Sequence, residues 1–248
     1  MSSKDLSGRP PTKGPGAFAK VLRRLLGKQG TVTAVVPIGD QFRLVTLEGP
    51  ALKSVAWIPG QKLQVAMGST FAARTYTPID WDAQAGRTRI LGYAHGDGPG
   101  SSWLRDLRPG DECDLFGPGA SLDARSLPSQ LAVFGDETSI GLACALASQD
   151  HGRPVRCYFE VDDVGRVEEV IATLGLGNVT CFGKQSGDAH LQQLEAALQS
   201  LAADGASFVL TGKASTIQGL KRSLKLRAVP ASRVAARAYW APGKTGLD

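Results

Sequence analysis

The sequence predicts an antiparallel β-barrel followed by an α/β domain with a parallel sheet. The first half holds short apolar runs separated by Gly and Pro turns, which is typical of antiparallel strands. The second half alternates strand-like with helix-like runs, which implies right-handed crossovers between parallel strands. We place a basic extension at 1–28, the barrel at 29–127 and the α/β domain at 128–248.

The barrel is predicted to have six antiparallel strands. Five are apolar runs between turns, namely Thr31–Val36, Phe42–Leu47, Lys62–Ala66, Arg87–Ala94 and Glu112–Phe116. The sixth contains Arg74-Thr75-Tyr76-Thr77. A short helix at Ser102–Leu107 interrupts the strands.

The α/β domain is predicted from four strands and four helices. The strands are Leu131–Phe134, Val155–Val161, Val179–Phe182 and Ser207–Thr211. The helices are Thr138–Ser148, Val167–Leu174, Ala189–Ala203 and Ser215–Leu226.

Charge is concentrated at the two ends of the 248-residue chain. Residues 1–28 carry seven basic side chains against one acidic, 29–212 carry 13 against 21, and 213–248 carry eight against one. This asymmetry favours an anionic partner at the ends, or a solvated tail and helix face. Residues 1–16 are predicted to be disordered. Residues 18–26 are predicted to form a basic amphipathic helix that docks on the body rather than on a nucleic acid or a membrane.

The sequence indicates a cytoplasmic protein without a metal cluster. It has no run of about 18 apolar residues and no signal-like amino terminus, so neither a membrane span nor export is expected. Its four cysteines are far apart and form no C-x-x-C pair, which argues against a zinc ribbon or an iron–sulfur cluster. We interpret Cys113, Cys144, Cys157 and Cys181 as buried apolar residues.

Arg74-Thr75-Tyr76-Thr77 supplies the residue types that a flavin needs. A flavin requires a cation on its pyrophosphate, an aromatic wall beside its ring and a hydroxyl or amide near N5. Alternation along a strand places Arg74 and Tyr76 on one face. The alternative is a core tyrosine beside an arginine in an ion pair.

The segment from His95 to Trp103 supplies a second set of candidate cofactor-binding residues. Its three glycines allow close approach of the backbone, and Gly100-Ser101-Ser102 leads into the short helix, whose free amides suit a diphosphate. The alternative is an ordinary turn with a serine N-cap.

Together, these segments resemble the siderophore-interacting proteins, ferric-siderophore reductases within the ferredoxin-reductase-like flavoenzymes. The family pattern is R-x-Y-[ST], then an H-G-x-G-P-[AG]-S-x-W loop, then P-G-D and G-P. This chain has those motifs in order, with the last two at Pro109-Gly110-Asp111 and Gly117-Pro118. Further similarity lies in Gly135-Asp136-Glu137-Thr138, in Tyr158-Phe159-Glu160-Val161 and in Tyr239-Trp240 followed by Pro242-Gly243.

The resemblance implies FAD in the barrel, NAD(P)H or ferredoxin as electron donor and a ferric siderophore as substrate of a monomeric enzyme. The cofactor-binding positions that we predict on this basis are Arg74, Thr75, Tyr76, Thr77, His95, Gly100, Ser101, Ser102, Trp103, Asp136 and Thr138. We expect His95 to pack near the flavin rather than to act as a general base.

Two departures affect the electron-donor half. Asp136 and Glu137 place carboxylates where a phosphate would meet a helix start, so they are expected to face the flavin or the ribose, or to be solvated. Lys213 replaces the glutamate of the family's G-E-A-S sequence, at the ligand-binding end of a parallel strand. The predicted positions for substrate or NAD(P)H are Glu137, Gly212, Lys213, Arg237, Trp240 and Lys244.

Two other functions stay open at this point. One is a general NAD(P)H-dependent flavin reductase for another acceptor. The other is a non-enzymatic module that binds flavin or siderophore, which the acidic turn at Gly135–Thr138 favours.

Overall fold

The computed structural model describes residues 27–67, 73–149 and 152–244. The predicted amphipathic helix at 18–26 and the segment predicted to be disordered lie outside these ranges. Within them, no helix has the length and apolar composition needed to cross a bilayer.

The first half forms one antiparallel sheet in the order β4-β3-β7-β1-β2-β6-β5. Its strands are β1 Lys28–Ile38, β2 Phe42–Glu48, β3 Lys62–Ala66, β4 Ala73–Tyr76, β5 Pro78–Asp82, β6 Arg87–Tyr93 and β7 Glu112–Gly119. The predicted antiparallel sheet is confirmed, with seven strands instead of six, and it is not closed into a barrel, since β4 and β5 form its edges.

The additional strand is β5, whose sequence Pro-Ile-Asp-Trp-Asp contains three residues that are depleted in strands. A proline is tolerated here because β5 is an edge strand. Its neighbour β6 shows regular alternation, with Thr88, Ile90 and Gly92 buried. Pairing with β6, rather than the propensity of its own residues, therefore stabilises β5.

Helix α1, Pro99–Asp106, lies between β6 and β7 and packs on the sheet. It begins three residues before the predicted start because Pro99 suits the first helical position. The helix approaches β6 closely, since a Cβ atom at Gly92 would lie 2.3 Å from Cδ2 of Leu104. This packing brings the first turn of α1 to the cleft described below.

The second half forms a parallel sheet in the order β10-β9-β8-β11-β12. Its strands are β8 Leu131–Asp136, β9 Val155–Val161, β10 Val179–Gly183, β11 Ser207–Lys213 and β12 Val234–Trp240. Its helices are α2 Ile140–Gln149, α3 Val164–Leu174, α4 His190–Ala203 and α5 Ala214–Leu226. All predicted elements are present, and β12, which is poor in large aliphatic residues, is the strand that was not predicted.

Helices α2 and α3 pack between the two sheets, where one apolar cluster joins Phe42 and Ile79 of the first sheet to Ile140, Phe159 and Val167 of the second half. Helices α4 and α5 cover the opposite face of the parallel sheet. The strand order reverses between β8 and β11, so their carboxyl ends form the crevice in which parallel sheets bind ligands.

Candidate functional site

A cleft of about 330 Å³ opens between the two sheets. Its walls come from β4, from β6 and the loop that follows it, from the first turn of α1, from the start of α2 and from β12. Eleven predicted site residues line it: Arg74, Thr75, Tyr76, Thr77, His95, Gly100, Ser101, Thr138, Arg237, Trp240 and Lys244. The cleft therefore combines residues from both halves of the chain.

Arg74 lies against the first turn of α1. A Cβ atom at Gly100 would come within 3.0 Å of Cγ and 3.3 Å of Nε of Arg74, so glycine at this position allows the close approach. One guanidinium nitrogen donates to the carbonyl of Ala73 at 2.9 Å. The arrangement places a cation beside the amides of a helix start, a combination that suits a diphosphate.

Tyr76 forms an aromatic wall that continues into the sheet interior. Its ring centroid lies 6.0 Å from that of Trp103, and both rings pack on the core of the first sheet. Burial raises the pKa of the Tyr76 phenol well above its ordinary value, against the opposing effect of Arg74. The phenol is therefore neutral at physiological pH. Trp103 packs behind Tyr76 and does not line the cleft.

Thr77 connects the two halves of the chain. Its Oγ1 lies 3.3 Å from the hydroxyl of Tyr239 on β12, and either oxygen can be the donor. Its carbonyl faces α2, where a Cβ atom at Gly141 would lie 3.3 Å away. The Thr77 hydroxyl, which is expected near flavin N5, is thus within hydrogen-bond distance of a side chain of β12.

The loop before α1 is held by its own backbone and side chains. The Ser101 hydroxyl donates to the carbonyl of His95 at 2.6 Å, so it closes the loop and is used internally. The His95 side chain is exposed, with its ring 5.1 Å from that of Tyr93. His95 thus lines the cleft, and its packing near a flavin stays a prediction.

Asp136 caps, from inside the protein, the short 3-10 turn Glu137–Ser139 that leads into α2. Its carboxylate accepts from the Thr138 amide at 2.9 Å, from the Thr138 hydroxyl and from Nε1 of Trp240 at 2.7 Å, and its side chain is buried. Burial raises its pKa above the ordinary value, although these hydrogen bonds oppose the shift. The anion site at this helix start therefore holds a carboxylate of the chain itself.

Gly212 makes room for Asp136 at the crevice between β8 and β11. Its φ is +100°, and a Cβ atom there would lie 2.5 Å from Oδ2 of Asp136. We expect Gly212→Ala to lower the free energy of unfolding by at least about 2 kcal/mol, since it combines a strained backbone with a clash against a buried carboxylate. Urea denaturation followed by circular dichroism measures this change.

Gly177→Ala is the matched control, because Gly177 is exposed and a Cβ atom there would have no neighbour within 4 Å. Equal losses in the two variants would show that the crevice around Asp136 is not tightly packed.

Glu137 faces away from the cleft, toward the loops after β9 and β10. Its carboxylate accepts from the Asp162 amide at 2.6 Å and pairs with Lys184 at 3.1 Å. Burial raises the pKa of Glu137, and Lys184 opposes that shift. Asp162 also pairs with Lys184 at 3.1 Å and accepts from the Tyr93 hydroxyl at 3.2 Å, so this network fixes the second half against β6.

Three cationic side chains line the cleft, and we call the part of the lining that they form its mouth. Lys62 comes from β3, Arg237 from β12, and the exposed Lys244 follows β12. Lys213 ends β11 and precedes α5, and it does not line the cleft. The positive side of the cleft is therefore built from β3 and the C-terminal strand.

Six predicted residues lie outside the cleft lining: Ser102, Trp103, Asp136, Glu137, Gly212 and Lys213. Ser102 is exposed on α1, and the other five lie behind or beside the cleft as described above. Residues that line the cleft without having been predicted include Lys62, Tyr93, Ser121, Gly141 and Tyr239. A sequence signal for Tyr239 was its position beside Trp240 in the Tyr239-Trp240 motif.

The four cysteines are free thiols, of which Cys113, Cys144 and Cys157 are buried and Cys181 is half-buried. Burial raises all four thiol pKa values. The described ranges contain no cluster of His, Cys, Asp and Glu suited to a metal ion.

The chemistry of the cleft fits a flavin dinucleotide. Arg74 and the first turn of α1 suit its diphosphate, Tyr76 offers a flat wall and Thr77 a hydroxyl. Positions Gly96 and Gly98 have open space around the missing Cβ atoms, which leaves the loop backbone accessible.

Two family models match the chain. Residues 63–122 match the siderophore-interacting FAD-binding domain, and residues 128–243 match the siderophore-interacting protein family. The curated proteins include no match to the chain.

Three of the solved structures that match the chain illustrate the shared fold. A siderophore utilization protein from T. fusca is 20% identical with a TM-score of 0.68, covering 90% of this chain and 95% of that one. The siderophore-interacting protein SipS from Aeromonas hydrophila is 21% identical with a TM-score of 0.70, at coverages of 88% and 92%. Phthalate dioxygenase reductase, described as transferring electrons from pyridine nucleotides to [2Fe-2S], is 14% identical with a TM-score of 0.74, at coverages of 90% and 71%.

Proposed function

This chain belongs to the siderophore-interacting protein family, and on that premise we propose that it is an FAD-dependent oxidoreductase that reduces ferric siderophores and releases ferrous iron. The observation that carries the proposal is the cleft itself. One wall holds Arg74, Tyr76 and Thr77, and cations from β3 and β12 stand at its mouth. A flavin and an anionic substrate therefore have complementary surfaces within one cleft.

Each wall residue has a separate task in holding FAD. Arg74 would neutralise the diphosphate together with the amides at the start of α1. Tyr76 would pack against the ring system and exclude water from one side, and Thr77 would offer its hydroxyl to the reacting edge. When bound, FAD accepts a hydride and releases electrons singly, which couples a two-electron donor to one-electron reduction of iron.

The cations at the mouth suit a siderophore whose oxygen ligands carry negative charge. Lys62, Arg237 and Lys244 would attract such a complex and hold its iron near the flavin. Hard oxygen ligands bind ferric iron tightly and ferrous iron much less tightly. Reduction at this position therefore releases the metal.

Two observations bear on the electron donor, which we propose to be NAD(P)H or ferredoxin. The likeness to phthalate dioxygenase reductase, which is described as taking electrons from pyridine nucleotides, supports a nicotinamide donor. Asp136 at the start of α2 opposes a diphosphate at that helix and favours a different binding mode or a protein donor. Reduction of another acceptor is the alternative enzymatic activity.

The same carboxylate supports a second candidate function, a module that binds flavin or siderophore without turning over. Asp136 fills the position at which a nicotinamide dinucleotide would place its phosphates, as expected if no nucleotide donor binds the parallel sheet. Such a protein would carry FAD that neither NADH nor NADPH reduces.

An anaerobic titration distinguishes these functions. The purified protein is reconstituted with FAD, its visible spectrum is recorded, and NADH, NADPH and reduced ferredoxin are added in separate experiments. A ferric siderophore is then added with a ferrous-iron trap. The proposal predicts bleaching by at least one donor, followed by reoxidation and trapped ferrous iron. A protein that cannot be reconstituted with FAD would refute it, and FAD that no donor reduces would identify the binding module.

Charge reversal at Lys244 tests the substrate-binding role of the cleft mouth. Lys244→Glu is expected to raise KM for a trianionic ferric siderophore about tenfold, since it removes one attraction and adds one repulsion of up to about 1 kcal/mol each. FAD content and kcat are expected to change little, and the effect is expected to shrink in high salt. Lys221→Glu, on the exposed face of α5, is the control. Equal KM changes in Lys244→Glu and Lys221→Glu would indicate that the overall charge of the protein, rather than a contact at Lys244, determines siderophore binding.

A further inference from the structure

The hydroxyl pair between the two sheets points to a role beyond holding FAD. Oγ1 of Thr77 and the hydroxyl of Tyr239 are 3.3 Å apart, and Tyr239 lines the open cleft. Thr77 directly follows β4, and Tyr239 lies on the last strand of the other sheet. The pair therefore joins the proposed reacting edge of the flavin to a half-buried tyrosine that lines the cleft.

The proposed reaction leaves one proton to be removed. A hydride donor transfers two electrons and one proton to the flavin. Two ferric complexes then accept the two electrons one at a time, and neither of them takes a proton. When the flavin returns to its oxidised form, the proton gained with the hydride must leave its reacting edge, so each turnover releases one proton near Thr77.

We propose that Thr77 and Tyr239 form a two-hydroxyl relay that carries this proton from the flavin edge to solvent. The inference rests on the proposed function. A hydroxyl donates one hydrogen bond and accepts others, so Thr77 can receive a proton while passing its own to the Tyr239 oxygen, which releases its own in turn. The positions of the two oxygens permit either direction of donation.

The surroundings of Tyr239 keep its phenol protonated between transfers. Burial raises its pKa to about 12, the carboxylate of Asp136 acts in the same direction, and the hydrogen bond with Thr77 and the charge of Arg237 oppose it. A neutral phenol passes a proton on without holding a charge. Tyr239 is thus suited to transfer rather than to storage.

Neighbouring polar groups at the cleft have other hydrogen-bonding partners. The hydroxyl of Ser101 donates to the carbonyl of His95, that of Thr138 donates to Asp136, and that of Tyr93 donates to Asp162. The exposed His95 stacks beside Tyr93 on the β6 side. Thr77 and Tyr239 join the β4 side of the cleft directly to β12.

Tyr239→Phe tests the relay because it removes one oxygen and keeps the ring. The Kd for FAD, measured by fluorescence quenching, is expected to change less than about twofold. The Tm is expected to change by less than about 3 °C. Both changes are small because the lost hydrogen bond is between neutral groups. Reoxidation of the reduced protein by a ferric siderophore, followed by anaerobic stopped flow, is expected to slow at least about tenfold, the scale of a lost proton-transfer group.

Two further readouts separate proton transfer from a structural role. Imidazole, a small proton acceptor, is expected to restore part of the Tyr239→Phe rate and to leave the wild-type rate unchanged. The wild-type rate is expected to fall in D₂O. Tyr158→Phe is the control, since Tyr158 stacks on Phe134 at 4.8 Å, on the α4 and α5 side of the parallel sheet.

A wild-type rate of reoxidation in Tyr239→Phe with normal FAD content would overturn the relay and leave the proposed function intact. A wild-type protein that binds no FAD would refute the proposed function itself. If Tyr239→Phe fails to bind FAD, Thr77→Ser and Thr77→Val decide. The relay requires the serine variant to keep the rate and the valine variant to lose it, and equal rates would overturn it.

Discussion

Arg74→Ala is expected to weaken FAD binding about 100-fold, because a charge-assisted hydrogen bond to a phosphate contributes up to about 3 kcal/mol. Arg74 lies against Gly100 at the start of α1, so its loss removes the cation that complements the free amides there. Fluorescence quenching of FAD during titration with the apoprotein measures the change. The FAD affinity of Arg74→Lys is expected to lie between those of the wild type and of Arg74→Ala, since lysine keeps the charge but lacks the planar guanidinium group.

Arg89→Ala is the matched control for Arg74. Arg89 also projects from a strand of the first sheet, but it pairs with Asp80 on β5. Its replacement is expected to leave FAD affinity unchanged. An unchanged FAD affinity in Arg74→Ala would remove this residue from the site.

Asp136→Ala is expected to lower the free energy of unfolding by roughly 3 kcal/mol at pH 5, because it leaves the Thr138 amide and the Trp240 indole without their buried acceptor. Asp163→Ala is the matched control. Asp163 also caps a helix, accepting from the Arg166 amide at 3.0 Å, but it is exposed, so a loss of only about 1 kcal/mol is expected. Urea denaturation of the three proteins measures both values.

The pH dependence of this difference follows from the direction of the pKa shift. Burial raises the pKa of Asp136 above 3.8, so the folded state binds its proton more tightly than the unfolded state does. The stability that Asp136 contributes is therefore greatest below about pH 4 and decreases as the pH rises through the pKa of the folded state. The destabilisation caused by Asp136→Ala should accordingly shrink between pH 4 and pH 8. A difference that grows with pH would mean that the hydrogen bonds outweigh burial.

The sequence predicts the fold well wherever local pattern and tertiary environment agree. The strand Val155–Val161 is confirmed to the residue, since five of its seven residues are apolar or aromatic and the run is bounded by Pro154 and Asp162. Strand β5 is missed because Pro78 and its two aspartates are acceptable only beside β6. Strand β12 is missed because its small and polar residues form a strand only by pairing with β11.

The candidate site shows a similar division. The wall formed by Arg74, Tyr76 and Thr77 is contiguous in sequence, so a motif is sufficient to find it. Tyr239 reaches that wall from 162 residues further along the chain, a contact that depends on how the two sheets pack. The burial of Asp136 depends on Trp240, which also comes from a distant strand. The sequence alone did not decide whether this carboxylate faces the flavin, the ribose or solvent.

The apolar cluster around α2 and α3 has a consequence for how the protein responds to heat and to ligands. Phe42 and Ile79 belong to one sheet and Phe159 to the other, yet all three lie in one buried cluster. Separating the sheets would expose this cluster to water, at a cost that grows with the apolar area exposed. We therefore expect a single cooperative thermal transition and a cleft of nearly constant width, in which substrates enter a preformed gap instead of closing a hinge.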